Sequence, residues 1–278
     1  MCPLRLIILS LFIFVISACT PGSRQAEPIP VRDLSLAPGQ GVNIQVNSGL
    51  VKISGTDNYP GQVHISGQIA QPDRTAFQVS SQPQEWVIEA KYSPRLFSPA
   101  GTPVILEVQV PRDVPVSVTT FDAGVEIRDV SGKVSVNSTA GNVTADRLQG
   151  QVSLRSARGN VQASSLSGDI SVVGEAGILS ILNAHGKIGS TTIMGTIQWN
   201  GSVGAADSVN LETDHAPVDI LLGSDSDVAL SANTTSGAMI CPPIFSSTTR
   251  VCNGKLGAGK GGFKTRTVSG NVSVQVKP

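Results

Sequence analysis

Four cysteines, three histidines and 20 acidic side chains are the groups of this 278-residue chain whose chemistry could carry a function. Cys241 and Cys252 bracket a loop that begins Pro242-Pro243-Ile244-Phe245-Ser246-Ser247-Thr248-Thr249. They form no C-x-x-C and have no histidine nearby, so redox cycling and zinc binding are disfavoured; in an exported chain an isolated pair reads as a disulfide. Nucleophilic catalysis needs a base with an orienting partner. Of His64, His185 and His215, only His215 has an acid beside it, Asp214, and neighbouring side chains on a strand point to opposite faces. Acids in the middle of the chain, Asp122, Asp129, Asp146, Asp169 and Glu175, fall in no single column. Asp129, Asp146, Arg128 and Arg147 could meet on one face, where a solvated surface is the expectation. Gly254-Lys255-Leu256-Gly257-Ala258-Gly259-Lys260 imitates a phosphate loop, but Gly261 stands where Ser or Thr is required and no helix is expected after it. The residues therefore point to no catalytic site, no metal and no cofactor.

What positions these groups is a repeat. Glycine recurs at Gly124, Gly132, Gly141, Gly150, Gly159, Gly168, Gly177, Gly186 and Gly195, and after the first gap every interval is nine. Two residues after the last eight glycines stands an aliphatic side chain: Val134, Val143, Val152, Val161, Ile170, Leu179, Ile188, Ile197. Four residues after each, Val136, Ala145, Leu154, Ala163, Val172, Ile181, Ser190 and Trp199 begin by alternating large and small, which makes the full period eighteen. A short fixed period with corner glycines and alternating apolar residues predicts an all-β chain, a β-solenoid with coils of about 18 residues built from two Gly-x-Val-x-Val half-turns. Glycine is expected at the corner because a Cβ would obstruct the turn. A calcium-binding roll is excluded, since it needs an aspartate in every turn and the residue five after each glycine varies here: Asn137, Asp146, Arg155, Ser164, Val173.

Met1 to Ala18 holds an early Arg5 and an uncharged run from Leu6 to Ile16, ending in small residues. The run is too short to span a bilayer and reads as an export signal. Ile16-Ser17-Ala18-Cys19 resembles the lipobox of bacterial lipoproteins. The resemblance implies a signal peptide over 1–18 and a lipid anchor at Cys19, which ties the chain to a membrane. With Thr20 rather than aspartate next in the chain, it implies the outer membrane if the cell is Gram-negative, facing the periplasm or the cell surface. Residues 19–33 are rich in Pro and polar types and read as a flexible tether. Residues 34–118, with alternating stretches such as Val42-Asn43-Ile44-Gln45-Val46 and turn signals such as Ser98-Pro99-Ala100-Gly101, read as an N-terminal β module capping the solenoid's open edge. Residues 119–278 are the repeats, including the C-terminal disulfide loop.

Only 4% of residues are aromatic, which leaves few sugar-stacking platforms and disfavours a dedicated carbohydrate-binding module; Trp86 and Trp199 are expected in the core. The net charge of zero gives no field to recruit nucleic acid. Charge is nonetheless segregated. No Lys or Arg lies between Lys187 and Arg250, where Asp207, Glu212, Asp214, Asp219, Asp225 and Asp227 fall; after Asp227 there is no acid. The basic residues Arg250, Lys255, Lys260, Lys264 and Arg266 come next. Two readings stand open: pairing of acidic coils with the basic end, or a basic patch for an anionic envelope polysaccharide or envelope protein.

The lipoprotein signal, the Val-rich module and Thr-x-x-Gly-x-Val repeats, ending in Gly257-Ala258-Gly259 and Thr267-Val268-Ser269-Gly270-Asn271-Val272, resemble the bacterial β-strand-repeat envelope family known as "putative adhesin", a domain of unknown function. The resemblance covers about residues 40 to 276. It implies a β-solenoid, a cell-envelope location and no catalytic residue. The expected role is a non-catalytic, adhesin-like or structural scaffold; the alternative is a carbohydrate-active β-helix enzyme, a polysaccharide lyase or hydrolase.

Overall fold

A computed structural model describes residues 26–94 and 102–277; the signal segment, Cys19 and the turn expected at residues 98–101 lie outside the described residues. Apart from one 3-10 turn at Pro72–Arg74, the regular structure among the described residues is strand throughout. First come β1 (Glu27–Pro28), β2 (Arg32–Ser35), β3 (Gly41–Val46), β4 (Leu50–Thr56), β5 (Gln62–Ile69), β6 (Thr75–Ser81), β7 (Glu85–Tyr92) and β8 (Val104–Pro111). The regular stretch holds β9 (Val116–Thr120), β10 (Gly124–Arg128), β11 (Val134–Ser138), β12 (Val143–Asp146) and β13 (Gln149–Ser156). It continues with β14 (Val161–Ser164), β15 (Ser167–Gly174), β16 (Ile178–Leu182), β17 (His185–Thr192) and β18 (Thr196–Gly201). The last strands are β19 (Ser208–Thr213), β20 (Val218–Leu222), β21 (Val228–Thr234), β22 (Met239–Ile240), β23 (Ser246–Ser247), β24 (Val251–Leu256), β25 (Gly261–Thr267) and β26 (Val272–Val276).

These strands make two sheets, mostly parallel. The first runs β1-β5-β8-β4-β10-β12-β14-β16-β18-β20-β26-β22, with β2 also on β5; the second runs β23-β24-β21-β25-β19-β17-β15-β13-β11-β9-β3-β7-β6. In the regular stretch each strand pairs with the one 18 residues away, as in Val143↔Val161 and Val152↔Ile170. Alternation does the rest: Val134, Val136 and Ser138 of β11 are buried, while Asn137 between the last two is exposed. The two sheets share the interior unequally, and the share shifts along the stack. On the second sheet the column Val136, Leu154, Val172, Ser190 ends small, while on the first Ala145, Ala163, Ile181, Trp199 ends large, and every member is buried. Trp199 meets Phe263 edge to face at 5.4 Å. Trp86 is only partly buried against the core and donates its indole N–H to the Ser35 carbonyl.

The nine-residue units differ from the expected equal halves, because the two corners of each pass differ. At one corner, Asp129, Arg147, Ser165 and Asn183 take the left-handed conformation although none is glycine, and the next residues, Val130, Leu148, Leu166 and Ala184, turn inward. At the other corner a hydroxyl closes a Ser/Thr-x-x-Gly turn. The Ser138, Ser156, Thr192, Thr234 and Thr267 hydroxyls accept the N–H of Gly141, Gly159, Gly195, Gly237 and Gly270 at 2.9–3.0 Å. Here glycine answers stacking rather than twist: a Cβ on Gly159 would collide with the Gly141 carbonyl of the preceding pass. Gly168, on the strand side, does need glycine's freedom, with φ +123°.

The irregular ends continue the same sheets. β3 and β4 pair in parallel with β9 and β10, so residues 34–118 add their strands to both sheets, and β5 and β6 lie antiparallel at the outer edges. The segment expected as tether is drawn in earlier than residue 33: β1 and β2 pair with β5, because Ile29 and Leu34 bury their side chains there. At the other end the last pass is threaded inward. β25 lies between β19 and β21, and β26 between β20 and β22, which leaves β21 to β24 outermost. The Cys241–Cys252 disulfide, Cα–Cα 5.8 Å, joins the segment after β22 in the first sheet to β24 in the second.

Candidate functional site

The ionisable groups of the regular stretch are organised at the left-handed corner. Arg147 lies against Asp129 through two hydrogen bonds of 2.8 and 3.0 Å and also contacts Asp146, while Arg112 bonds Asp57 at 3.1 Å. The Arg147 guanidinium holds the Asp129 carboxyl below its ordinary range. Of the four residues that could share a face, Asp129, Asp146 and Arg147 are thus in direct contact, and Arg128 lies in register with Asp146. The charges of Asp129, Asp146 and Arg147 are spent on one another.

His185 has a partner that adjacency in sequence does not reveal. Its Nδ1 is 3.1 Å from Oδ2 of Asp207, which also accepts the N–H of Gly204 and of Gly186, each at 2.7 Å. Burial works to raise the Asp207 pKa, but these donors outweigh it and hold the carboxyl below its usual value. The available signal is a lengthened period: Ile188 pairs with Val209, 21 residues on, and the extra residues fold Asp207 back over the corner. Ser167 is the register neighbour of His185, yet among the described residues no hydrogen bond joins them, so the three make no proton relay. His64 bonds Asp33 at 2.7 Å and stacks on Tyr59, and His215 bonds Ser269 at 2.9 Å. Among the described residues no three His, Cys, Asp or Glu side chains are placed to hold a metal.

The basic end is built by β24, β21 and β25, side by side on the second sheet. Lys255 faces outward from β24, and Lys264 and Arg266 from β25; Arg250 and Lys260 sit in the turns that lead into those two strands. All five side chains are exposed. Register places Lys255 opposite Ala229, which is opposite Gly262, so Lys255 and Lys264 lie about 12 Å apart across two strand spacings and one pleat. Pairing with the acidic passes is not formed. Glu212 stands opposite Arg266 but accepts from Asn210 at 2.9 Å, and Asp227 meets only the backbone N–H of Lys260. Among the described residues none of the five cations is in an ion pair.

Among the described residues the outer face of the first sheet carries a depression beside Arg128 and Asp146 and another that no motif or spacing singles out. One, about 400 Å³, is lined by charges that partly satisfy each other, with Lys52 3.6 Å from Glu107. The second, about 270 Å³, lies over β16, β18, β20 and β26, and its outward side chains include Gln198, Asn200, Asp219 and Gln275. The Asn200 Oδ1 is buried there without a hydrogen-bond partner. An orphaned buried acceptor costs roughly 1–3 kcal/mol.

No family model matches the chain, and no curated protein does. Solved structures with a similar course of the chain include a "putative adhesin" of Bacteroides fragilis, 12% identical, with 90% of this chain and 98% of that one covered at a TM-score of 0.43. A "putative cell adhesion protein" of Clostridium sporogenes is 10% identical over 91% and 100% of the two chains, TM-score 0.32. A "putative adhesin" of Parabacteroides merdae is 11% identical over 91% and 97%, TM-score 0.34. The strand pairings define the fold of this chain.

Proposed function

We propose that this chain is a non-catalytic, lipid-anchored β-solenoid of the cell envelope, an adhesin-like scaffold that takes an anionic polymer on its basic end. The observation that carries the reading is the set of exposed cations Arg250, Lys255, Lys260, Lys264 and Arg266, on two strands and the turns that lead into them, none of which is in an ion pair among the described residues. Unpaired like charges repel one another, so a polyanion gains by neutralising them. The antiparallel strands at the outer edges fit the capping role, since they cover the last parallel strand of each sheet. Cys19 with its small-residue approach supplies the anchor and with it the cell-envelope location.

The enzyme alternative is the weaker one on chemical grounds. A glycosidase needs a carboxylic acid whose pKa is raised so that it can donate a proton. Asp129, Asp207 and Asp225 are moved the other way, by Arg147, by the combined pull of the Gly204 amide, His185 and the Gly186 amide against burial, and by Ser202 respectively, so none of these three is such a donor.

Binding of the mature chain to polygalacturonate and heparin, with a Lys255→Glu/Lys260→Glu/Lys264→Glu variant alongside, tests the reading. Retention that weakens with salt and is lost in the variant supports it; equal retention of both proteins defeats it.

A further inference from the structure

The second depression of the first sheet lies on the face opposite the basic end and has different chemistry. Its floor is two rows of outward side chains in register: Ser180, Gln198, Asp219 and Ser273 in one, Leu182, Asn200, Leu221 and Gln275 in the other. Four strands at about 4.8 Å spacing make the floor about 14 Å across, with the rows about 7 Å apart. It contains no cation, and Asp219 is its one charged lining group. Among the described residues, the side chains of Gln198, Asn200, Asp219, Ser273 and Gln275 make no hydrogen bond to one another or to the rest of the protein, and the Asn200 Oδ1 is sealed from solvent without a donor. By contrast Asn142 and Asn160, beside the corner glycines, each accept a backbone N–H of the next pass.

We propose that this groove binds a neutral oligosaccharide. Each carboxamide places a donor and an acceptor on adjacent atoms, which matches the paired hydroxyls of a sugar, and three carboxamides flank one carboxylate acceptor here. Leu182 and Leu221, one on either flank of Asn200 and about 10 Å apart, each offer apolar surface to the C–H face of a pyranose, the part that aromatic rings play in aromatic-rich sites. An anionic chain is disfavoured by Asp219 and by the missing cation. An extended peptide would need a free strand edge for its backbone bonds, whereas these four strands are neighbours within the sheet.

The test is a titration of the full mature chain with maltohexaose, cellohexaose, laminarihexaose and chitohexaose, read through the side-chain amide NMR signals of Gln198, Asn200 and Gln275. At least one hexaose is expected to shift these signals, and Gln198→Ala and Gln275→Ala, both at exposed positions, to weaken it at least tenfold. Gln162→Ala, on the outward row of β14, is expected to leave binding unchanged. The proposal is overturned if no hexaose shifts the signals at millimolar concentration, if the two substitutions leave affinity intact, or if only polygalacturonate or an unstructured peptide perturbs the groove. Polygalacturonate retention by the groove variants, read in parallel, reports the basic end separately, so either site can fail alone.

Discussion

Replacing Ser156 by alanine tests whether the buried hydroxyls, rather than the glycines alone, hold the passes together. The Ser156 hydroxyl is fully buried, donates to the Gly141 carbonyl of the preceding pass at 2.9 Å and accepts the Gly159 N–H at 3.0 Å. Alanine keeps the strand and removes one oxygen. The Gly141 carbonyl retains the Ser138 hydroxyl at 3.1 Å, but the buried Gly159 N–H loses its partner. One orphaned buried donor costs about 1–3 kcal/mol, so about 2 kcal/mol is expected. In urea this lowers the unfolding midpoint by about 1 M for a slope near 2 kcal/mol/M. Ser153→Ala, at an outward position earlier on the same strand, should stay within about 0.5 kcal/mol. Ser156→Thr, which keeps the hydroxyl and copies Thr192, should recover most of the loss. If Ser156→Ala is no worse than Ser153→Ala, the hydroxyl turns are ornament and the reasoning is wrong.

Asp207 sets an acid limit. Its folded pKa lies below the unfolded value, so its contribution is complete above about pH 4 and is lost as pH falls through the folded pKa. Asp207→Asn should therefore lower the melting temperature at pH 7, with the gap to the parent chain closing below about pH 4; a gap that is constant with pH refutes the assignment. Reducing the disulfide, or making Cys241→Ala/Cys252→Ala, frees a short loop at the outermost strands and should cost about 3 kcal/mol. Hydrogen exchange should accelerate first in β24 and β21, and uniform acceleration along the chain would contradict the placement. Trp199→Ala, in the pass where Ser190 fills the facing column, should cost about 3–5 kcal/mol in a urea titration, and a loss below 1 kcal/mol would contradict its role in filling the interior.

The regular stretch is legible because its period is strict. Gly at every ninth place and Val, Ile or Leu two residues on set the inward columns, and the alternation of Val136, Ala145, Leu154 and Ala163 already separates the two sheets. The two corners are not separable in that way. Asp129, Arg147, Ser165 and Asn183 share a backbone conformation but no side-chain type, so no residue column announces the left-handed turn. Spacing groups Ile193 with Leu148 and Leu166, yet it falls at the hydroxyl corner and is 48% exposed. The threading of β25 and β26 inside β21 and β22 is a choice among strands of equal pattern, which alternation cannot rank. The basic end can be named residue by residue because charge is read directly from sequence. Its freedom from ion pairs, and the orphaned oxygen of Asn200, depend on register across strands far apart in the chain.

The proposed function turns on the basic end. The most direct measurement is retention of acidic polysaccharide from the native envelope on the immobilised mature chain, compared with the Lys255→Glu/Lys260→Glu/Lys264→Glu variant, with glycan analysis of the eluate. The predicted result is an acidic polymer held by the parent chain, released by salt and absent from the variant. An eluate without acidic polymer, or the same polymer from both proteins, contradicts it.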